Sequence, residues 1–187
     1  MLLTGVNQAG AAAGGDLIGR DKVANIYQPQ NPASYIEKMM GRLSAEIESK
    51  AEVRYTIDEL QFFYTRKTIG DVIGLEAKLK RADRLDELLY AFEKKELFAK
   101  ILDRYSLYAS AQRIFAYLLA KAEWEFMSSI QPVLSVSDCV QINELITKRI
   151  VEPIVSDCDI GPFDFNHSVV VGMVYWLAEQ CFVRWHE

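Results

Sequence analysis

Histidine and cysteine are both scarce in this chain. Its 187 residues include two histidines, His167 and His186, and three cysteines. Two histidines 19 positions apart in sequence cannot make a His-Glu-x-x-His helix or any comparable zinc spacing. Cys139, Cys158 and Cys181 form no Cys-x-x-Cys pair. An odd cysteine number, with no charged n-region and apolar core at the start, points to a reduced cytoplasmic setting and not to a secreted disulfide framework. Long apolar runs are also missing. The longest, Val169 to Leu177, is interrupted by Gly172 and falls far short of the roughly 20 residues of a membrane span. Positive charge is not in excess: the net charge is −5, which argues against a protein that coats nucleic acid. No Gly-x-Ser-x-Gly and no Gly-x-x-x-x-Gly-Lys-Ser/Thr occurs, which removes two common nucleophile and phosphate signatures.

Half of the residues are hydrophobic and a quarter are charged, the profile of an ordinary globule of about one domain. Residues 1–33 differ from the rest, being rich in Gly, Ala, Asn and Gln and closing on Pro29 and Pro32. Within them a quasi-repeat runs from Gly15-Asp16-Leu17-Ile18 into Gly19-Arg20-Asp21-Lys22-Val23. Gly-Asp suits tight turns and the β-branched residues suit short extended segments. The leader is therefore either flexible or a short β segment that orders against another chain.

From Ser34 the pattern becomes helical, and residues 34–187 are expected to form an all-α bundle of six to seven helices. Ser34-x-x-Glu37 is a capping box, followed by Tyr35, Met39, Leu43 and Ile47 at steps of four. Thr56-x-x-Glu59 is a second such box. Leu75 to Tyr105 reads as helical with a phase change. Leu85, Leu88, Leu89 and Phe92 share one face, and Phe98, Ile101, Leu102 and Tyr105 share nearly the opposite one. The chain either breaks at Glu93–Glu96 or passes there between two partners. The clearest helix carries Leu107, Tyr108, Ala111, Ile114, Phe115, Leu118, Leu119, Ala122 and Phe126 as one stripe, and Pro132 stops it. Ser137 with Asp138 can cap the next helix, which Pro153 ends or kinks. Asn166 caps a last helix that is apolar all round and hence buried.

Candidate chemistry is sparse. Asp157, Asp159 and Asp164 lack calcium-hand spacing and read as turn and capping residues. Cys181 and His186 could pair as thiol and imidazole, but Cys181 sits in apolar company, where a cysteine is usually a small buried hydrophobe. No metal, cofactor or catalytic residue is expected. Lys78, Lys80, Arg81 and Arg84 crowd together as a possible nucleic-acid patch. Interleaved acids make a solvated helix face the stronger reading.

The segment Gly172-Met173-Val174-Tyr175-Trp176-Leu177 followed by Cys181-Phe182-Val183-Arg184-Trp185 resembles the closing motif of accessory domains in bacterial ABC-three-component systems. There Gly-Met-hydrophobic-Tyr-x-Leu precedes Cys-His-hydrophobic-Lys/Arg-Trp. Gly74-Leu75-Glu76-Ala77-Lys78-Leu79 and Ala111 to Leu119 are similar as well, and Phe182 stands where the pattern often has His. The resemblance, over residues 35–187, implies the docking half of such a system without an effector domain. It implies an adaptor that ties an effector to an SMC-like, Lamassu-type ATPase in antiviral or antiplasmid defence. The implied partners are that ATPase and effector, with a homo-oligomer as a further option and no membrane. The candidate contact residues are Gly15, Asp16, Gly19, Arg20, Asp21 and Lys22 in the leader. In the terminal motif they are Tyr175, Trp176, Arg184 and Trp185, which could equally build the domain's own core.

Overall fold

The computed structural model describes residues 34–67 and 71–185. The leader, with its quasi-repeat and its expected β segment, lies outside the described residues, as does His186. Within them the protein is all-helical, with no strand.

Helix α1, Tyr35–Glu48, opens on the expected capping box: Ser34 Oγ accepts from Glu37 N–H while the Glu37 carboxylate accepts from Ser34 N–H. Its buried face is Ile36, Met39, Met40 and Leu43. The step-of-four stripe through Tyr35 drifts off this face, because four residues overshoot a 3.6-residue turn, and Tyr35 ends half exposed. Helix α2, Asp58–Tyr64, does not use the Thr56 box; Ile57 is its N-cap and no side chain of its own caps it. Gln112 takes that role from a distance. Its Oε1 accepts from Ile57 N–H (2.7 Å), while its Nε2 donates to Tyr55 O (2.7 Å) and Ser106 O (2.6 Å).

Helix α3, Leu75–Arg81, stops at Asp83, whose φ of 55° lies in the left-handed region. A 3-10 turn, Leu85–Glu87, leads into α4, Leu88–Tyr105. The break thus falls before Leu85, and α4 runs straight through Glu93–Glu96. Leu85 and Leu89 are exposed, and the buried face of α4 is Ala91, Phe98 and Leu102. Packing of that face against the last helix, with Phe98 also edge-on to Phe115, explains this choice. Helix α5, Ala109–Glu125, buries the expected stripe from Ala111 to Ala122 and continues through a π-helical turn, Phe126–Ile130, to Pro132. Glu46 of α1 caps its first turn, accepting from Ser110 N–H (3.0 Å) and from its hydroxyl (2.7 Å).

Helices α6, Cys139–Ile146, and α7, Glu152–Asp157, form one rod joined by a π-helical turn, Thr147–Val151. Asp138 and Gln141 make a full capping box at its start. Pro153 does not end the rod. The wider π turn just before it accommodates the missing N–H and the ring's clash with the preceding turn.

Helix α8, His167–Glu179, starts at Asn166, whose side chain accepts from Val169 N–H. Nine of its 13 residues are buried, with α3, α4, α5 and α7 packed around it. At about 1.5–3 kcal/mol for each large apolar side chain taken from water, this helix is the core of the bundle. None of the described helices is long and apolar enough to cross a membrane.

Candidate functional site

The terminal motif begins within α8, and its last residues, Cys181 to Trp185, fold back onto α2, α3 and Arg84. The end of α8 is a reversed turn in which Cys181 takes a φ of 64°. Cys181 N–H donates to Ala178 O (3.1 Å) and Phe182 N–H donates to Leu177 O (2.9 Å). This is the closure usually made with glycine, built here on a cysteine. Lys78 then bridges a carbonyl of the last turn of α8 and one of the segment beyond it. Its ammonium donates to Ala178 O and to Val183 O. Lys78 is 1% exposed. Burial lowers its pKa, opposed by the thiol of Cys181 and the carboxylate of Glu179. A cation at the negative end of α8 is favourably placed.

Glu179 holds the other side of the same turn. Its Oε2 accepts from Leu75 N–H (2.8 Å), capping α3, and its Oε1 pairs with Arg66 Nη2. Arg66 Nε also donates to Glu179 O (3.1 Å). The preceding Gly74 has a φ of +85°, which a side-chain-bearing residue would adopt only at a cost.

Trp185 closes the motif against a polar cluster. Arg84 lies over its ring at 4.6 Å. The Arg84 guanidinium donates to both oxygens of Glu87 (3.0 and 2.7 Å) and to Asn143 Oδ1 (2.6 Å). Tyr175 stacks on Trp185 with centroids 5.8 Å apart and donates its hydroxyl to Glu87 Oε2 (3.3 Å). Burial and the Glu87 carboxylate raise the Tyr175 pKa. Trp185 also packs edge-on to Phe126 at 5.3 Å, and its Nε1 is buried without a partner among the described residues. Beside this cluster a crevice of about 380 Å³ is bordered by Tyr90, Thr147 and His167.

A family model, C-terminal domain 9 of the ABC-three component (ABC-3C) systems, matches residues 74–185. The chain belongs to that family. No curated protein and no solved structure matches it. The family segment begins at Gly74 and ends at Trp185, so its two ends are the two halves of the Glu179, Lys78 and Arg84 clamps just described. In this ABC-3C domain the two end regions of the match are joined through Leu75 to Glu179, Lys78 to Val183 and Arg84 to Trp185.

The structure buries Tyr175, Trp176 and Trp185 inside the bundle, Tyr175 stacked on Trp185 and Trp176 among other aromatics. Trp176 packs edge-on to Phe98 (5.8 Å) and Tyr64 (6.1 Å). Arg184 alone of the four is partly exposed. Phe182, at the position where histidine is frequent, fills an aromatic corner with Phe62 and Phe63, and Lys67 sits over its ring at 4.2 Å.

The Lys78 to Arg84 patch requires correction. Lys78 and Arg84 are buried, because each is consumed by helix-end carbonyls or by Glu87 and Asn143, and only Lys80 and Arg81 face solvent. These four do not share a surface, nor do they form a solvated face. Asp157 pairs with Lys121 (2.6 Å). No cluster of three potential metal ligands occurs among the described residues. Gly15, Asp16, Gly19, Arg20, Asp21 and Lys22 lie outside the described residues.

Sequence reasoning missed the Arg84–Glu87–Asn143 network and the cap that Gln112 provides. A signal existed for both. Lys78 lies three residues after Leu75 and one before Leu79, on their buried face, and Gln112 interrupts the apolar stripe of α5. A polar residue on an apolar stripe calls for a buried partner.

Proposed function

We propose that the chain is a non-enzymatic docking component of its ABC-3C system, an adaptor between an SMC-like ATPase and an effector in bacterial defence against phages or plasmids. The observation that carries this reading is the family match from Gly74 to Trp185, the ends of which are clamped into one rigid helical scaffold. The buried polar groups support it. Lys78, Arg84, Glu87, Gln112 and Tyr175 use their hydrogen-bonding capacity to join helices, which suits a platform more than a reaction centre. Cytoplasmic action follows from the same reading, with the ATPase and effector as protein partners.

The test is reconstitution. The full chain is co-expressed with the ATPase and the effector of its own system, and the eluate is measured by light scattering. A complex containing the chain and both components is the expected result. A chain that elutes alone in the presence of both overturns the adaptor reading. Cys181→Ser is expected to keep full defence activity; its loss, with the fold intact, would reopen the case for nucleophilic catalysis. A nucleic-acid regulator would need Lys80 and Arg81, the two members of the basic group that remain exposed. Reversing both to Glu is expected to leave complex formation and defence unchanged.

A further inference from the structure

Helix α5 presents a second pattern on its outward side. Arg113, Tyr117, Ala120, Trp124 and Met127 are all exposed, and they succeed one another at steps of four, three, four and three. At 100° per residue they fall within an arc of about 80°. That is the 3.5-residue spacing by which one helix interlocks with another. The seam is about 21 Å long at 1.5 Å per residue. Trp124 is 69% exposed and Met127 50%, so neither contributes much to the bundle's own core.

The upper part of the seam is the floor of a groove of about 460 Å³. Tyr35 of α1 forms one wall, its ring 5.5 Å from that of Tyr117, and Phe62 of α2 forms the other. Across groove and seam, the exposed parts of Tyr35, Phe62, Tyr117, Trp124 and Met127 offer roughly 500 Å² in total. That is close to two-thirds of what one partner contributes to a stable interface of ordinary size. A concave surface needs a convex occupant, and a second copy offers the same concavity. A single helix fits it. Charge gives the occupant a direction. Glu59 on one lip and Arg113 at one end have no ion-pair partner among the described residues.

Resting on the adaptor reading, we infer that this groove receives an amphipathic helix of another polypeptide of the system. The helix carries apolar side chains at heptad spacing, a base facing Glu59 and an acid facing Arg113. Tyr35 and Phe62 lie outside the matched segment 74–185.

Tryptophan emission reads the seam where it runs on from the groove's floor, since Trp124 lies one helical turn beyond Ala120. The chain has three tryptophans; Trp176 and Trp185 are 6% and 4% exposed, so acrylamide reaches Trp124 first. The full chain is titrated with the ATPase component and, separately, with the effector component. Expected are a blue shift and loss of acrylamide quenching with one of them. Ala120→Glu should weaken that binding tenfold or more, with its thermal melt unchanged because the position is exposed. Hydrogen exchange on the bound component should show a protected helix. A complex that forms with Trp124 still quenchable and Ala120→Glu without effect overturns the groove and leaves the adaptor standing. A protected extended strand overturns the helical occupant. Protection of Trp124 that rises with the concentration of the chain alone assigns the groove to a second copy and overturns the inference. Binding to neither component overturns the adaptor reading and this occupant together.

Discussion

The close approach of α4 and α8 rests on one missing methyl group. A Cβ built on Gly172 would lie 2.0 Å from Lys94 O, 2.6 Å from Lys94 C and 3.2 Å from Phe98 Cβ. The obstacle is the backbone of α4, which cannot rotate away as a side chain can. Gly172→Ala therefore has to push the two helices apart by about 1 Å, since ordinary carbon–oxygen contact begins above 3 Å. Separation loosens Phe98 and Leu102 against Met173 and Trp176, in the most apolar part of the bundle. Overpacking of a well-filled core costs about 1–3 kcal/mol, more where backbone must move. Against this, alanine gains up to about 1 kcal/mol over glycine inside a helix. With the cost at the top of that range because backbone must move, the net expectation is a loss of about 2 kcal/mol, or roughly 4–8 °C in Tm for a domain of this size. Gly41 of α1 supplies the control, as a Cβ there meets nothing within 4 Å. Gly41→Ala should gain about 0.5–1 kcal/mol. Thermal unfolding followed by circular dichroism separates the two. If Gly172→Ala melts at or above the parent temperature, as Gly41→Ala should, the packing argument is refuted.

Other positions give equally direct tests. Lys78→Met leaves Val183 O without its donor and takes from Ala178 O the ammonium it shares with Cys181 N–H, and should lose about 1–3 kcal/mol by urea unfolding. Because its folded pKa is lowered, the unfolded chain binds the extra proton. Stability gained through Lys78 should rise with pH up to the ordinary lysine value near 10.4, and the Met variant should lack that rise. Gln112→Leu removes the partners of Ile57 N–H, Tyr55 O and Ser106 O at once; α2 should become the fastest-exchanging helix by hydrogen exchange. Among the cysteines, Cys139 is exposed and Cys158 is buried, the latter with its thiol pushed up to about 12 by burial and by Asp157. At pH 8 a maleimide should label Cys139 rapidly, and rapid labelling of Cys158 in the folded chain would contradict its placement. Since the folded state holds the Cys158 proton more tightly, stability should fall as pH rises from about 9 towards 12, and Cys158→Ala should flatten that fall.

Much of the helical architecture was legible because it rests on local chemistry. The Ser34, Asp138 and Asn166 caps, the α5 stripe and the apolar α8 are each written within a few consecutive residues, and each appears where expected. The misses share a different cause. The phase change in Leu75–Tyr105 was placed at Glu93–Glu96, whereas the chain breaks at Asp83, at a left-handed turn that nothing local announces. Thr56 looked like a cap, but Gln112, 55 residues away, supplies the acceptor. Lys78 and Arg84 read as solvated because charge is usually exposed. Their burial depends on carbonyls and a carboxylate that only the folded chain brings near.

The same distinction explains why the terminal motif and the exposed seam separate. Tyr175, Trp176 and Trp185 attract attention in the sequence as large aromatics in a short span. A large aromatic beside an all-apolar helix, however, has most of its surface claimed by the core. Aromatics available to a partner are those that the local helix does not need. Trp124 is one: it follows Ala122, the last residue of the buried stripe within α5, and it points to the side on which Tyr117 and Ala120 also emerge. A helix that is apolar on two faces while only one is buried carries more apolar surface than its own fold uses. In α5 that surplus is ordered at heptad spacing, between walls contributed by α1 and α2. The bundle leaves the outward face of α5, together with Tyr35 and Phe62, as apolar surface that its own core does not use.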